Sequence, residues 1–326
     1  MKSYWIKPLG SGTVLEERDV PVPVPAAGQL LVRVHAAGLN RGELITRGDL
    51  HGGDAARPAG TESAGEVERV GPGVTDFAPG ERVMATGRGS FAEYVLLDAG
   101  LAIRVPDALT WEEAACTPLA FLVAHDMLIG QGNVKAGEWV LITAASSGVG
   151  VASMQAAGAL GARTIGTSGS AAKLARLRAL GMNVGIETRL PDFYAAVMET
   201  TAGKGADIAI NGVGGTMFAE CLRSLAFEGR LATVGYVDGS VESTIDLATL
   251  HAKRLKVFGV SAIFRTREQR LASVRGFQAD LLPFIASGRI KPVVDRVFDY
   301  AELPAAKAFM ESNAQVGKIA VRITAG

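Results

Sequence analysis

Apolar and polar positions fall into two textures along the chain. In the first hundred residues the apolar runs are short and broken by Gly and Pro. Residues 13–18 read as a strand, and Pro21, Pro23 and Pro25 then force an extended connector. Residues 29–37 carry the apolar, β-branched run of another strand, and Asn40 opens a loop or short helix after it. Glycine-punctuated segments at 60–73, 77–84 and 89–95 predict further strands and turns. Many short strands with no helices between them describe a β-barrel-like domain.

The texture changes near Thr110, an acceptable N-cap for the acidic start Trp111-Glu112-Glu113. Residues 121–129 predict a second helix, and Trp139–Ile142 reads as a fully buried parallel strand. Strands at 163–167, 207–211, 230–235 and 255–260 then alternate with helices at 151–160, 171–180 and 217–225. This alternation predicts a parallel sheet covered by helices. A helix over 267–287 and strands at 293–298 and 318–323 follow and return to the first domain. The fold class is therefore α/β, a doubly wound parallel sheet inserted in a β-rich domain. Residues 1–122 and 264–326 form the β-rich part, and 123–263 the inserted part.

Composition narrows the picture. A 326-residue chain with 40 glycines and 48% apolar residues suits two ordinary domains full of tight turns. Lys plus Arg and Asp plus Glu both total 33, so no basic footprint points to nucleic acid or to an anionic membrane. The opening stretch lacks the apolar core of a signal peptide, and no stretch has the length of a membrane span. Cys116 and Cys221 are too few and too far apart for a disulfide framework. The expectation is a cytoplasmic protein.

The chemistry starts at Ala144-Ala145-Ser146-Ser147-Gly148-Val149-Gly150, small residues between a strand and a helix. Such a turn lets the backbone approach a pyrophosphate while the N–H groups of the helix start face the anion. Two of the three glycines of the G-x-G-x-x-G pattern are replaced here, by Ala145 and Ser147. The second strand runs into Gly166-Thr167-Ser168-Gly169-Ser170 without the acidic residue that accepts from an NAD ribose. Ser168 can donate to a 2′-phosphate, and Lys173 and Arg189 can reach the same corner, so NADPH is expected rather than NADH. Asn211-Gly212-Val213 and Gly235-Tyr236 end adjacent strands, where ligands bind in open α/β sheets; their glycines could equally serve turns.

Four stretches in order resemble the medium-chain dehydrogenase/reductases: Ala37-Gly38-Leu39-Asn40-Arg41, Gly60 to Gly71, Phe77-x-x-Gly80-x-Arg82-Val83, and the Ala144 to Gly150 turn. The ending Glu311-Ser312-Asn313 with Gly317-Lys318-Ile319 fits as well. Within that superfamily the chain is most similar to the zinc-independent, crystallin-type quinone oxidoreductases. The resemblance implies a GroES-like catalytic domain made of both chain ends, a Rossmann NADP-binding domain between them, and an active site in the cleft. It also implies a homodimer through the last Rossmann strand, residues 255–260.

Zinc-binding relatives hold metal through Cys and His. Here Ala36-Ala37-Gly38 and Thr61 stand at the expected ligand positions, and His35, His51, His125 and His251 are isolated, so no zinc is expected. Without a Lewis acid to stabilise an alkoxide, alcohol dehydrogenation gives way to hydride transfer from NADPH to an easy acceptor. A quinone is the first expectation and a conjugated enone or enoyl thioester the second, with a non-catalytic NADP-binding redox sensor as the reading of another class. Asn40 matches the family's active-site Asn. Asn313 could reach the cofactor or merely cap the last helix, and Glu62 reads as structural. Arg41 and Ile45 replace an aromatic and a Tyr common in quinone oxidoreductases, while Val123 and Thr188 replace a Thr and a Tyr of some relatives. These departures bear on the acceptor more than on the cofactor.

Overall fold

The short, Gly- and Pro-broken runs up to Arg104 become eight strands in the computed structural model, which describes residues 1–9, 12–44 and 55–323. Ile45 and His51 lie outside the described residues. The strands are β1 (Lys2–Leu9), β2 (Gly12–Asp19), β3 (Gln29–Leu39), β4 (Arg57–Pro58), β5 (Glu62–Val70), β6 (Arg82–Thr86), β7 (Tyr94–Asp98) and β8 (Ile103–Arg104). Asn40 leads into a 3-10 turn, Arg41–Leu44. Helix α1 (Trp111–Ala115) starts on a reciprocal capping box between Thr110 and Glu113, as the sequence leads one to expect.

Helix α2 (Pro118–His125) runs into a π-helical turn, Asp126–Gly130, where a single helix over 121–129 is expected. Beyond it come β9 (Trp139–Ile142), α3 (Gly148–Ala159), β10 (Arg163–Ser168), α4 (Ala171–Ala179), β11 (Val184–Glu187), α5 (Tyr194–Thr200), β12 (Ala206–Asn211), α6 (Gly215–Arg223), β13 (Leu225–Thr233), α7 (Leu247–Ala252) and β14 (Lys256–Gly259). Strand β13 starts five residues before the expected 230, with Glu228 at positive φ and a register shift against β12, which is the behaviour of a bulged strand. The helix expected over 267–287 is two, α8 (Arg267–Asp280) and α9 (Leu282–Ala286); Pro283 fits only in the first turn of a new helix. The chain closes with β15 (Val294–Asp299), α10 (Leu303–Glu311) and β16 (Lys318–Arg322).

Two units form. The first comprises Met1–Leu119, Thr266–Gln278 and Pro292–Gly326; the second comprises Ala120–Arg265 and Ala279–Lys291. In the first, β15, β16, β3, β5, β6 and β8 form one sheet in that order, with β7 also pairing β3, and β2-β1-β4 form a smaller one. Its core is built on Leu30, Val32, Val34, Val83, Phe91, Ile319 and Val321. In the second, six parallel strands lie in the order β11-β10-β9-β12-β13-β14, the order of a doubly wound dinucleotide-binding sheet. Leu141, Ile165, Phe193, Ala209, Leu222 and Leu231 fill its core. The fold class matches the sequence expectation. No helix among the described residues is long and apolar enough to cross a membrane.

Candidate active site

In the parallel-sheet unit, the strand order reverses at β9, and the Ala144 to Gly150 turn leaves the carboxyl end of that strand. Ala144 takes a positive φ of 50°, and Ser147 N-caps α3 by accepting the Gly150 N–H at 3.0 Å. Gly150, the one motif glycine retained, has no room for a side chain. A Cβ there would lie 2.7 Å from the carbonyl oxygens of Ala144 and Ala145. Ala145 is itself buried and donates its N–H to the Thr167 carbonyl at 3.2 Å. Ser146, Ser147, Gly148 and Val149 form the partly exposed lip of the turn. The first-turn N–H groups of a helix have no acceptor within it, so this lip suits an anion.

Asn211, Gly212 and Val213 sit beside that lip. The Asn211 side chain is fully buried, and its Oδ1 accepts from the N–H groups of Val213 and Gly214 at 3.1 Å each. Thr143 Oγ1 accepts the Gly212 N–H at 3.1 Å, a bond that nothing in the sequence marks. Gly235 packs on Gly212, since a Cβ on it would come 2.9 Å from the Gly212 carbonyl oxygen, and Tyr236 follows it half-exposed. Asn211 is thus a turn organiser by its side chain, and the neighbouring glycines carry the close approach.

At the end of β10, Ser168 faces Glu187 across the parallel pair with β11. The Arg189 side chain lies over Gly169, with its Cγ 2.1 Å from where a Cβ would stand. Lys173 lies in the first turn of α4, its N–H on the capping Ser170 hydroxyl at 3.4 Å. Glu187 also enters this corner, which the sequence reading treats as free of acids: its Oε1 accepts the Ala171 N–H at 3.2 Å. Thr188 is turned away, donating to Asp192 at 2.6 Å.

The β-rich unit holds a different cluster. Glu62, at the start of β5, is completely buried, and so nearly is Lys318 of β16; the two form an ion pair at 2.6 Å. The second Glu62 oxygen accepts the Leu119 N–H at 2.8 Å. Asn40 joins the pair at both ends of its carboxamide. Its Oδ1 accepts from Lys318 Nζ at 2.5 Å, and its Nδ2 donates to Glu62 Oε1 at 2.9 Å. Longer bonds run from Nδ2 to Thr61 Oγ1 at 3.2 Å and to the Gly38 carbonyl at 3.3 Å. Burial alone would push the Lys318 ammonium down, but Glu62, Cys116 and Glu43 together outweigh it and hold it above its ordinary range.

Glu43 caps the 3-10 turn by accepting the Asn40 N–H at 2.6 Å on Oε1, while Oε2 is buried with no bonded partner among the described residues. Desolvation pushes its carboxyl up to about 8, against the pull of the Asn40 N–H and Lys318. Arg41 is turned to the end of α10, where it donates to the Met310 carbonyl at 2.6 Å and to Asn313 Oδ1 at 2.7 Å. Asn313 itself takes a left-handed φ of 56° just past that helix, so in this unit it acts as a C-terminal cap. That accounts for an arginine after Asn40: a cation there satisfies helix carbonyls.

The donors at the Thr61 corner are a hydroxyl, an amide and a carboxylate already paired with lysine, a set that does not suit zinc. Among the described residues no group of three His, Cys, Asp or Glu side chains is placed to hold a metal ion. His35 stacks on Trp111 and His125 bonds Asp280 at 2.8 Å. Burial pushes the Cys116 thiol up to about 12.

The comparisons agree with this architecture. Residues 26–107 match the family profile described as alcohol dehydrogenase GroES-like domain, and residues 148–274 match that of zinc-binding dehydrogenase. Quinone oxidoreductase of Rattus norvegicus is 30% identical over 327 residues, covering 98% of this chain and 97% of that protein. The chain belongs to the quinone oxidoreductase-like family of the medium-chain dehydrogenase/reductases. A mycobacterial structure, Rv1454c complexed with NADPH, aligns with this family member at a TM-score of 0.89 and 31% identity, over 99% of this chain and all of that one. A phenolphthiocerol/phthiocerol polyketide synthase of Mycobacterium tuberculosis is 33% identical over 301 residues, or 92% of this chain. The match spans only 14% of that synthase.

Proposed function

We propose that the chain is an NADPH-dependent quinone reductase that works without zinc. The observation that carries this reading is the Ser147-capped turn whose one retained glycine, Gly150, has carbonyl oxygens where a Cβ would stand. That cradle fits a pyrophosphate, with Gly148 and Val149 offering first-turn N–H groups. Ser168, Lys173 and Arg189 would hold the 2′-phosphate, and Gly212, Val213, Gly235 and Tyr236 the nicotinamide half. When bound, the reduced nicotinamide supplies a hydride. Asn40 would steady the acceptor oxygen with the Nδ2 hydrogen held only by the longer bonds to Thr61 and Gly38. A quinone gains aromatic character as it takes up charge, so orientation and water exclusion do most of what the protein must do.

The likeness to the solved CurK enoyl reductase, with the match to a segment of a polyketide synthase, favours a second reading, reduction of the C=C bond of an enoyl thioester. That reaction needs a proton at the α-carbon. Initial rates of NADPH oxidation with ortho- and para-quinones, enones and enoyl thioesters separate the two. A chain that binds NADPH yet oxidises it with none of these is a redox sensor instead.

The assembly we propose is a homodimer through β14. Among the described residues this strand ends the parallel sheet with one edge unpaired, and Val257 on it is exposed, as are Val241, Leu247 and Phe264 nearby in sequence.

A further inference from the structure

The Asn40 cluster holds two carboxyls and one ammonium, all sequestered from water, and one cation cannot balance two buried carboxylates. Glu62 is fully provided for: Lys318, the Asn40 amide and the Leu119 N–H occupy its oxygens. Among the described residues Glu43 has the Asn40 N–H on one oxygen and no bonded partner on the other, with the Thr61 hydroxyl close by. The carboxyl with the unfilled oxygen is the one that keeps its proton. We propose that Lys318 and Glu43 are positioning residues for the reduction proposed above. Lys318 fixes which way the Asn40 carboxamide points, and neutral Glu43 leaves Lys318 to Asn40 and Glu62.

The orientation argument is one of donor and acceptor. With Oδ1 on an ammonium and Nδ2 on a carboxylate, a flipped amide would set NH2 against NH3⁺ and C=O against a carboxylate. Only one orientation survives, and it turns the second Nδ2 hydrogen toward Thr61. Asn40 is partly exposed and its other hydrogen is committed to Glu62, so this hydrogen is the one left for an acceptor.

Ionisation of Glu43 adds a second anion within the field of Lys318. Among the described residues, the other charged or titratable groups around Glu43 do not relieve it. Arg41, on the same turn, is committed to Met310 and Asn313 of the α10 end. Arg57 meets Glu43 at its backbone carbonyl, at 3.5 Å. Cys116, near Lys318 and Glu62, stays a neutral thiol. The new carboxylate therefore draws on Lys318 or takes up water through the turn, and either loosens Asn40. The value of about 8 for Glu43 puts that change on the alkaline side of neutrality.

The proposal rests on the reductase reading, and its test separates the two. kcat/KM is measured from pH 6 to 10 for the wild type, Glu43→Gln, Lys318→Arg and the charge-neutral pair Lys318→Met with Glu62→Gln. NADPH affinity is followed in parallel by fluorescence titration, and carboxyl protonation by infrared difference spectra of wild type against Glu43→Gln. The wild type is expected to lose activity above about pH 8 and Glu43→Gln to lack that limb, whatever its plateau. The double variant, which leaves no buried charge unpaired, is expected to drop kcat by roughly tenfold or more while binding NADPH as before, with Lys318→Arg keeping more of kcat. A protonated-carboxyl band that bleaches with the same midpoint, absent in Glu43→Gln, completes the expectation. An alkaline limb that persists in Glu43→Gln, a missing band, or a double variant with wild-type kcat would overturn the proposal. A wild type that binds NADPH but turns over no acceptor refutes the reductase reading instead, and the infrared band still decides the state of Glu43.

Discussion

Glu187 lies opposite Ser168, and its carboxylate occupies the first N–H of α4, an anion of the protein's own in the corner proposed for a 2′-phosphate. Glu187→Gln removes that like charge. NADPH affinity relative to NADH, read by isothermal titration, is expected to rise about fivefold, the equivalent of roughly 1 kcal/mol for a partly screened charge. Equal gains for both cofactors would place the effect elsewhere. Glu43 carries a second prediction at this scale. Its folded value of about 8 lies above the ordinary 4.5, so the folded state holds a proton that the unfolded chain has released between those two values. The stabilisation is complete below about 4.5 and is lost as pH rises through about 8. Denaturation of wild type and Glu43→Gln at a series of pH values is expected to show the wild type falling behind across that window, at up to about 1.4 kcal/mol per pH unit. Parallel curves would deny the proton.

Among the elements, the β9–turn–α3 unit was the most legible from residue order, because everything that defines it lies within a dozen residues. An apolar run, small residues and a helix former follow one another there. The retained Gly150 could be read as a motif letter, but the backbone oxygens that demand it could not. Ser147→Ala is expected to cost about 1 kcal/mol in urea denaturation through the lost cap. Gly150→Ala is expected to abolish NADPH binding, since the carbonyls of Ala144 and Ala145 must move. The Asn40 cluster was only half legible. Asn40 and Glu62 stand in recognisable stretches, whereas Lys318 meets them across 278 and 256 residues of chain, and no local pattern carries such a pairing. Glu187 was hidden for a related reason: a parallel register, not proximity in sequence, sets it beside Ser168. The break at Leu281 is legible in residue order, since Pro283 announces it.

For the whole molecule, the β14 edge is the feature with a consequence for assembly. Light scattering is expected to give twice the chain mass for the wild type, and Val257→Lys, which puts a charge on that edge, is expected to shift it toward the single chain. A wild type of single-chain mass would remove the homodimer.

Strand β16 pairs with β3 in a sheet whose members β3, β5, β6, β7 and β8 were made some 200 to 300 residues earlier. On the ribosome the parallel sheet is complete once β14 has emerged, while β3 still waits for its partner and Glu62 for its counter-ion. Stalled nascent chains ending near residue 300 are therefore expected to be cut by protease in their first hundred residues and to resist cutting between β9 and β14. The buried lysine is translated 278 residues after Asn40, so the barrel-like half of the protein can close only once β16 has emerged.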